Sequence, residues 1–389
     1  RTLRSVIEWS EQLLDDHERG TLRRLAVFAG PVRAHDIEAV LGGPGALATV
    51  ADLVERSLAV ADHSAHGTRY GLLGVVRRHE LEQLEADGAV DEMRRRHAEH
   101  FASVAQSADA ALRTAAEAEA VQLIEDIFDE LRVAHAWCLR HAPSTALAIS
   151  AALHHYAFSR EREEAQRWAI DCLPLVDHSD DAVLVLASGA YRANNLGRLA
   201  EAEATAARAL ELAGDRPVAR FPLDTAADTA LYRGDLGAAL ELGHQLMDVS
   251  VRAADPNSVA MAASAIGLTR AYGGDPDATL DLLGSIDVRS MGPSAQGWLA
   301  YTEGEALLPV DSDAAKVKLA TAIELADTVQ HRFLAAVARV SMASLLGRAG
   351  ERDEALAAFA DTIAYWERRG DRTHQLTTLR NLVELFARL

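Results

Sequence analysis

A small residue recurs through more than half of this chain at a nearly constant spacing, and this recurrence limits the folds that the chain can adopt. The spacings between successive positions are 37, 37, 39, 37 and 40 residues. The positions are Ala165, Ala202, Ala239, Ala278, Ala315 and Ala355. Self-similarity at such a period is typical of stacked helix pairs, each too small to bury its own apolar face. The pattern therefore predicts an α-α superhelix rather than one closed core.

Each repeat has the pattern of helix, Gly-centred turn and helix. We expect the turn glycines at Gly197, Gly234, Gly273 and Gly350, whereas Arg160 and Val310 take that place in two other units. In each unit the small residue follows the turn and lies on the second helix, where a neighbouring helix can approach closely.

Composition agrees with packed helices and with more than one core. Of the 389 residues, 49% are apolar but only 5% are aromatic, which favours Ala- and Leu-rich helices over sheets. Cys138 and Cys172 cannot form a disulfide framework, as expected in a reducing compartment. The sequence has no charged-then-apolar leader and no apolar run of about 20 residues. We expect a soluble, cytoplasmic chain without a membrane partner.

The first 90 residues have a different pattern. Four helical segments precede two short strands at 57–62 and 68–72, which flank a turn at 63–67, and a further helix covers 75–86. This order predicts a winged-helix domain with a small β-hairpin. The fold class is thus mainly α: a winged helix followed by degenerate tetratricopeptide-like repeats. The expected domains are 1–90 (winged helix), 91–160 (bridging helices, with 115–123 and 124–141 as separate helices) and 161–389 (repeats).

Five segments carry a resemblance to a known family. They are Arg1–Ser10, Leu22–Gly30, Leu53–Leu58, Arg69–Leu73 and Glu130–Trp137. They resemble the part that follows the nucleotide-binding module in STAND-class regulators. These are NB-ARC-related, ATP-dependent bacterial transcription factors of the SARP and LuxR types. The repeats resemble a tetratricopeptide array, although their period exceeds the roughly 34 residues of a regular unit.

The resemblance implies an order of ATPase core, winged helix and sensory repeat. The sequence contains no G-x-x-x-x-G-K-[ST] phosphate loop, so we interpret the chain as a C-terminal fragment without a cofactor of its own. ATP or ADP is then expected in an upstream NTPase domain, which would be the winged helix's partner, and the full-length protein could oligomerise. The family's ADP-contacting Met-His-Asp motif is replaced by Leu72, Leu73 and Gly74. Arg77 or Arg78 could reach a phosphate, or could simply be solvated.

The helix expected at 47–56 would be the DNA-reading helix of a winged helix. It carries Asp52, Glu55 and Arg56 and has a net negative charge, whereas groove-reading helices present Arg, Lys, Asn or Gln. The whole chain has a formal net charge of −19. Direct DNA binding is therefore not expected, and the resemblance implies that this domain packs against the upstream NTPase.

Neither a metal site nor a catalytic site is expected. His97 and His100 share a helix face and His154 is adjacent to His155, but no ligand spacing completes either pair. We expect these histidines to be solvated or to cap helices. No Ser/His/Asp order, H-E-x-x-H or C-x-x-C motif occurs. The sequence predicts that the chain is not an enzyme.

The remaining candidate is a groove for a protein or small-molecule effector on the first helices of the repeats. Its predicted residues are Tyr191, Asn194, Asn195, Asp224, Asp228, Tyr232 and Arg270. Two functions remain open. In one, the repeats of an ATP-dependent transcriptional regulator sense an effector and the winged helix relays the signal. In the other, the chain is a protein–protein interaction scaffold with a winged helix that contacts DNA.

Overall fold

A computed structural model describes residues 3–43, 45–64 and 67–388. It confirms a mainly helical fold with one small sheet and a series of helical repeats. Contacts between Cα atoms divide the chain into two compact units. The N-terminal unit comprises residues 1–107 and 123–149, and the repeat unit comprises residues 108–122 and 150–389.

The N-terminal unit begins with helices whose ends are set by local capping. The side chain of Asp15 accepts a hydrogen bond from the Glu18 amide, and Glu18 returns one to the Asp15 amide, so a capping box begins the second helix. The elements to residue 86 are α1 (Leu3–Glu11), α2 (Asp16–Leu25), β1 (Val32–Arg33), α3 (Ala34–Leu41), α4 (Gly45–Glu55), β2 (Val60–Ser64), β3 (Gly67–Gly71) and α5 (Gly74–Ala86).

The sheet has three antiparallel strands in the order β1-β3-β2. Sequence analysis predicts the hairpin but not β1, because two residues are too few to show an alternating pattern. Val32 pairs with Tyr70 and Arg33 with Arg69. A Cβ atom at Gly71 would lie 3.0 Å from the Pro31 Cα atom, so the chain approaches itself closely where β1 begins.

Three helices follow, and each is divided between the two units. They are α6 (Val90–Leu112), α7 (Glu117–His141) and α8 (Pro143–Ala152). The two helices expected at 115–123 and 124–141 form the single helix α7, so that prediction was wrong: no residue within 117–141 breaks the helix. The contact-based units distribute residues 91–160 between them, whereas the domain limits at 90 and 160 stay a prediction.

The repeat unit continues as helix pairs. Its further α-helices are α9 (His154–Arg160), α10 (Glu163–Cys172), α11 (Asp180–Asn195), α12 (Leu199–Ala213), α13 (Arg220–Tyr232), α14 (Leu236–Arg252), α15 (Pro256–Tyr272), α16 (Pro276–Gly284), α17 (Pro293–Leu307), α18 (Ser312–Thr328), α19 (Arg332–Ala349), α20 (Arg352–Arg369) and α21 (Arg372–Arg388). Short 3₁₀ turns lie at Leu173–Leu175 and Pro217–Ala219.

The repeat period is confirmed, but its register is shifted by one residue in the unit of α15 and α16. The left-handed turn glycine there is Gly274, with φ +88°, whereas Gly273 has φ −76°. Likewise Thr279 is fully buried and Ala278 only half-buried. Ala165 is the third residue of α10, but from α12 onwards the buried small residue is the fourth of the second helix. That position is Thr279 here and Ala239 in the preceding unit.

The helix pairs stack in order and then curl back. The last helix, α21, contacts α11, and α19 contacts α9. The Thr373 hydroxyl donates a hydrogen bond to the carbonyl oxygen of Asn194, which joins α21 to the end of α11. The inner face of the first helices is therefore enclosed rather than an open groove.

The last helix, α21, has an exposed apolar face. Leu376, Leu379, Val383 and Phe386 are exposed on α21, at spacings of three and four residues that place them on one face. Terminal repeats usually present a polar outer face, so this stripe is unusual.

Among the described residues, no single helix is long and apolar enough to cross a membrane. Only α3 and α4 taken together reach the required length and composition, and a bend of 118° separates them. Their apolar side chains belong to the core of the N-terminal unit, where Ile37, Val40, Val50 and Leu53 are fully buried.

Candidate functional site

A partly enclosed cavity lies among the helices of the repeat unit. Its volume is about 70 Å³, enough for roughly five water molecules at the volume that one buried water needs. Three predicted groove residues line it: Tyr191 from α11, and Asp224 and Asp228 from α13. Since these two carboxylates are four residues apart, they lie on the same face of α13.

The other four predicted groove residues do not line this cavity. Asn194 and Asn195 are buried at the end of α11. The Tyr232 hydroxyl lies 2.6 Å from Nε2 of His374 on α21, and Nη1 of Arg270 donates to the Ala278 carbonyl oxygen at 3.2 Å. Tyr232 and Arg270 thus join helices to one another.

Aromatic rings that sequence analysis did not single out form much of the cavity wall. Phe158 meets Tyr191 edge-on, with 4.7 Å between ring centroids, and stacks against Trp298 at 6.4 Å and an interplanar angle of 14°. Phe221 and His331 also line the space. Phe221 and Trp298 lie on first helices, so aligning the repeats by their turns would have identified both. Phe158 lies on the short helix α9, which the repeat pattern does not reveal.

Three arginines border the cavity, and each is neutralised by a carboxylate. Arg113 pairs with Asp109 at 2.8 Å, and Arg220 pairs with Asp255 at 3.2 Å. Buried Arg160 lies 3.4 Å from Glu117. The guanidinium of Arg220 also lies 4.3 Å from the centroid of the Phe221 ring. These arginines therefore contribute little net positive charge to the cavity.

Asp224 and Asp228, in contrast, have no hydrogen-bond or ion-pair partner among the residues that the structure describes. Burial raises the pKa of Asp224 to about 6, although the nearby His155 opposes the shift. Burial also raises the pKa of Asp228 well above its usual range, and the charge of Asp224 adds to this. Two carboxyl groups placed together in this way cannot easily both ionise unless a cation joins them.

The histidines that sequence analysis expected to be solvated or to cap helices are mostly paired inside the protein. His97 lies 2.7 Å from Glu130, and His100 lies 2.7 Å from Asp36. His155 lies 2.9 Å from Asp109. Nδ1 of His154 lies 2.7 Å from the Ser188 hydroxyl, and burial lowers the pKa of His154 to about 3. Their carboxylate partners are distant in sequence, and spacing could not have indicated them.

The N-terminal unit contains one cluster with the chemistry of metal ligands, which the sequence did not indicate. Possible ligand atoms of Glu11, His79 and Glu80 all lie within 4.8 Å of one another. His79 lies 3.2 Å from Glu11, but neither carboxylate oxygen of fully buried Glu80 has a hydrogen-bond partner. Burial and the charge of Glu11 raise the pKa of Glu80 to about 8. With Arg23 3.4 Å from Glu11, a proton on Glu80 satisfies this cluster without a metal ion.

Glu80→Gln tests this interpretation. The folded-state pKa of Glu80, about 8, exceeds the ordinary value of 4.5, so protonation of Glu80 stabilises the fold. This stabilisation is complete below the pKa of Glu80 in the unfolded chain. It is lost as the pH rises through the pKa of Glu80 in the folded protein. Glutamine stays neutral, so at about pH 9 we expect the variant to be more stable than wild type by about 1–2 kcal/mol, and nearly equal at about pH 5.

Urea unfolding at both pH values measures this difference. If the cluster instead held a metal ion, a chelator would lower the melting temperature of the wild type. Glu80→Gln would then destabilise the protein at both pH values.

The helix considered for DNA reading, α4, presents acidic groups to solvent. Asp52, Glu55 and Arg56 are exposed, and Arg56 pairs with Glu18 at 2.8 Å. Arg77 donates to the Phe28 carbonyl oxygen, whereas Arg78 is exposed. The basic side chain next to α4, Arg56, is therefore paired with a carboxylate.

Sequence similarity to the known proteins described here covers only part of the chain. A Mycobacterium tuberculosis protein named "putative HTH-type transcriptional regulator" is 36% identical over 169 residues, which are 41% of this chain and 19% of that protein. A Mycobacterium bovis counterpart matches equally. An uncharacterized M. tuberculosis protein is 34% identical over 107 residues, 26% of this chain and 27% of that protein. The chain thus matches about a fifth of the length of the first of these relatives. No family model matches it.

Among solved structures, a signal transduction ATPase with numerous domains (STAND) protein with a tetratricopeptide repeat sensor, from Pyrococcus horikoshii, is similar. The TM-score is 0.51 at 14% identity, over 100% of this chain and 65% of that one. A Rap protein complexed with competence and sporulation factor overlaps with a TM-score of 0.48 at 14% identity, over 74% of this chain and 86% of that one. The first likeness concerns the fold alone.

Proposed function

We propose that this chain is a regulatory part of an ATP-dependent transcriptional regulator of the STAND class. In this proposal the repeat unit binds an effector in its cavity, and the N-terminal unit relays the bound state to an NTPase domain elsewhere in the full-length protein. The chain itself is non-catalytic and holds no nucleotide. The segment shared with a mycobacterial protein named as a transcriptional regulator supports the regulatory part.

The N-terminal unit supports the relay role through its element order. Helix α2, strand β1, helices α3 and α4, and the hairpin β2–β3 follow in the order of a winged helix, and β3 lies between the other two strands. Since α4 presents exposed acidic residues, we assign this domain to contact with protein rather than with DNA.

The observation that carries the proposal is the cavity itself. Helices α9, α11, α13, α15 and α17 contribute to it, and it combines several aromatic rings with two half-buried carboxyl groups that lack a partner among the described residues. Carboxyl groups that are largely withdrawn from water without a partner cost free energy, so packing alone does not account for them. A concave, largely apolar space with a few convergent polar groups is typical of a ligand site.

Filling the cavity tests the proposal. Asn257 lines it from α15, and Asn257→Trp would occupy its space. The control is Val251→Trp on α14, where the valine is 61% exposed. The full chain is screened by thermal unfolding against small amines, carboxylates, neutral sugars and short peptides. At about 100 times its Kd, a ligand of the folded state stabilises by about 2.7 kcal/mol.

We expect at least one class of probe to raise the melting temperature of the wild type and of Val251→Trp, but not that of Asn257→Trp. Circular dichroism establishes that both variants are folded. The proposal fails if no class stabilises the protein, or if the filled variant responds as the wild type does.

The alternative function is a protein-interaction scaffold, and one observation favours it. The exposed stripe of Leu376, Leu379, Val383 and Phe386 on α21 has the spacing by which one helix packs on another. A scaffold of this kind needs no ligand in the cavity, so the same screen distinguishes the two functions.

A further inference from the structure

We propose that the cavity of the repeat unit recognises an organic cation, through an ammonium or guanidinium group placed between Asp224 and Asp228. This inference rests on the proposed function, because it names the chemical class of the effector that the cavity takes. It is carried by the charges around the cavity, by an unpartnered hydroxyl and by the aromatic wall.

The charges around the cavity favour a cationic ligand. The arginines that border the cavity are each engaged by a carboxylate outside the pair: Arg113 by Asp109, Arg220 by Asp255 and Arg160 by Glu117. His155 is held by Asp109 at 2.9 Å. The charges around the cavity therefore cancel, except for the two carboxyl groups on α13.

An anionic effector would consequently find no free arginine and would be repelled by Asp224 and Asp228. A cation would supply the missing partner, through charge-assisted hydrogen bonds that are roughly twice as strong as neutral ones. A metal ion fits less well. Among the described residues, no third histidine, cysteine or carboxylate joins this pair at the distances of a metal site.

The Tyr191 side chain favours a ligand that donates hydrogen bonds. Only 8% of Tyr191 is exposed, it lines the cavity, and its hydroxyl makes no hydrogen bond among the described residues. Burial raises the pKa of Tyr191 well above its usual range. The charge of Asp371 adds to this shift, and the side chain of Asn195 opposes it. The hydroxyl therefore stays neutral and can accept a hydrogen bond from an N–H group. A ligand with several N–H donors could use this oxygen and the carboxylates together.

The aromatic rings in the cavity wall also favour a cation. The faces of Phe158 and Trp298 stack in parallel, and Tyr191 meets Phe158 edge-on beside them. Aromatic faces attract cations through their quadrupole, and more strongly when the cation is desolvated. Carboxylates beside aromatic rings are typical of sites that hold ammonium and guanidinium groups.

The cavity, with a volume of about 70 Å³, has room for one such group on a short alkyl chain, and the rest of a longer ligand stays outside it. The group could belong to a free amine or to a lysine or arginine side chain of a peptide. The chemistry is the same in both cases, and two titrations distinguish these sources.

Isothermal titration calorimetry on the full chain tests the inference. The titrants are agmatine as a free cation, a blocked tripeptide with a central lysine, neutral butanediol, and succinate. The variants are Asp224→Asn and Asp228→Asn, which keep the side-chain shape but remove the charge. The control is Asp248→Asn on α14, where the carboxylate is exposed and has no partner among the described residues.

We expect agmatine or the lysine peptide to bind the wild type and Asp248→Asn. Each cavity variant should weaken this binding at least about tenfold, the loss typical of one charge-assisted hydrogen bond. Both cavity variants should melt at a higher temperature than the wild type without ligand, because they remove repulsion between two neighbouring, half-buried carboxyl groups. That rise excludes misfolding as the cause of lost binding.

Binding of agmatine alone indicates a free amine, and binding of the peptide alone indicates a peptide side chain. Tight binding of succinate or butanediol without the cations overturns the inference but leaves the proposed function standing. Cation binding that is unchanged in Asp224→Asn and Asp228→Asn also overturns it. If none of the four titrants binds, the inference fails, and the screen with Asn257→Trp decides the proposed function separately.

Discussion

Replacing Glu130 by alanine is expected to destabilise the N-terminal unit by about 3–5 kcal/mol, because it leaves several buried hydrogen-bonding groups without their carboxylate partner. The Glu130 side chain on α7 is 3% exposed. It accepts hydrogen bonds from the amides of Ala29 and Gly30, both at 2.8 Å, and lies 2.7 Å from Nε2 of His97. Alanine would leave all three groups without this partner.

Urea unfolding measures the total loss, and hydrogen exchange of α2 and α7 assigns it to this unit. The control is Glu119→Ala at an exposed position of the same helix, which should change stability by less than about 0.5 kcal/mol. Glu130→Gln should fall between the two, because an amide oxygen can still accept one of these bonds. A loss below about 1 kcal/mol in Glu130→Ala would contradict the role we give this carboxylate.

Trp366→Ala is expected to have a similarly large effect on the repeat unit. Trp366 on α20 is fully buried, and its Nε1 donates to the Thr378 hydroxyl of α21 at 3.1 Å. Its ring lies 5.8 Å from that of Phe333 and 5.0 Å from that of His374, measured between centroids. Truncation of a buried tryptophan leaves a large void, and such changes cost about 3–5 kcal/mol.

Thermal and urea unfolding measure this loss, with hydrogen exchange of α19 to α21 as the local readout. Trp9→Ala removes a tryptophan that is 62% exposed and should be nearly neutral. Because α21 contacts α11, we also expect exchange at the end of α11 to rise in Trp366→Ala. If only α20 and α21 became less protected, the curled array would not be one cooperative unit.

Much of the local structure could be predicted because local physics sets it. The capping box at Asp15 and the left-handed turns at Gly197, Gly234 and Gly350 each depend on a few consecutive residues. The errors have local causes too. Two adjacent glycines, Gly273 and Gly274, left the turn register ambiguous, and only backbone geometry distinguishes them.

The candidate site could be predicted only in part. Counting back from the turns placed Tyr191, Asp224 and Asp228 on the inner face, and these three line the cavity. The same count included Asn194 and Tyr232, which instead meet α21. It omitted Phe158, which lies on the short helix α9 outside the repeat pattern, and Trp298, which the same count extended to α17 would have included.

By itself, the sequence determined that the chain is a series of stacked helix pairs, because periodic small residues and turn glycines act over one or two helical turns. Tertiary structure alone decided which charges are paired. Arg113 and Asp255 lie more than a hundred residues apart, Glu130 and Gly30 lie a hundred apart, and spacing carries no information about such contacts. Packing between helices thus paired Arg160 with Glu117 and Arg220 with Asp255, and left Asp224 and Asp228 without a partner among the described residues.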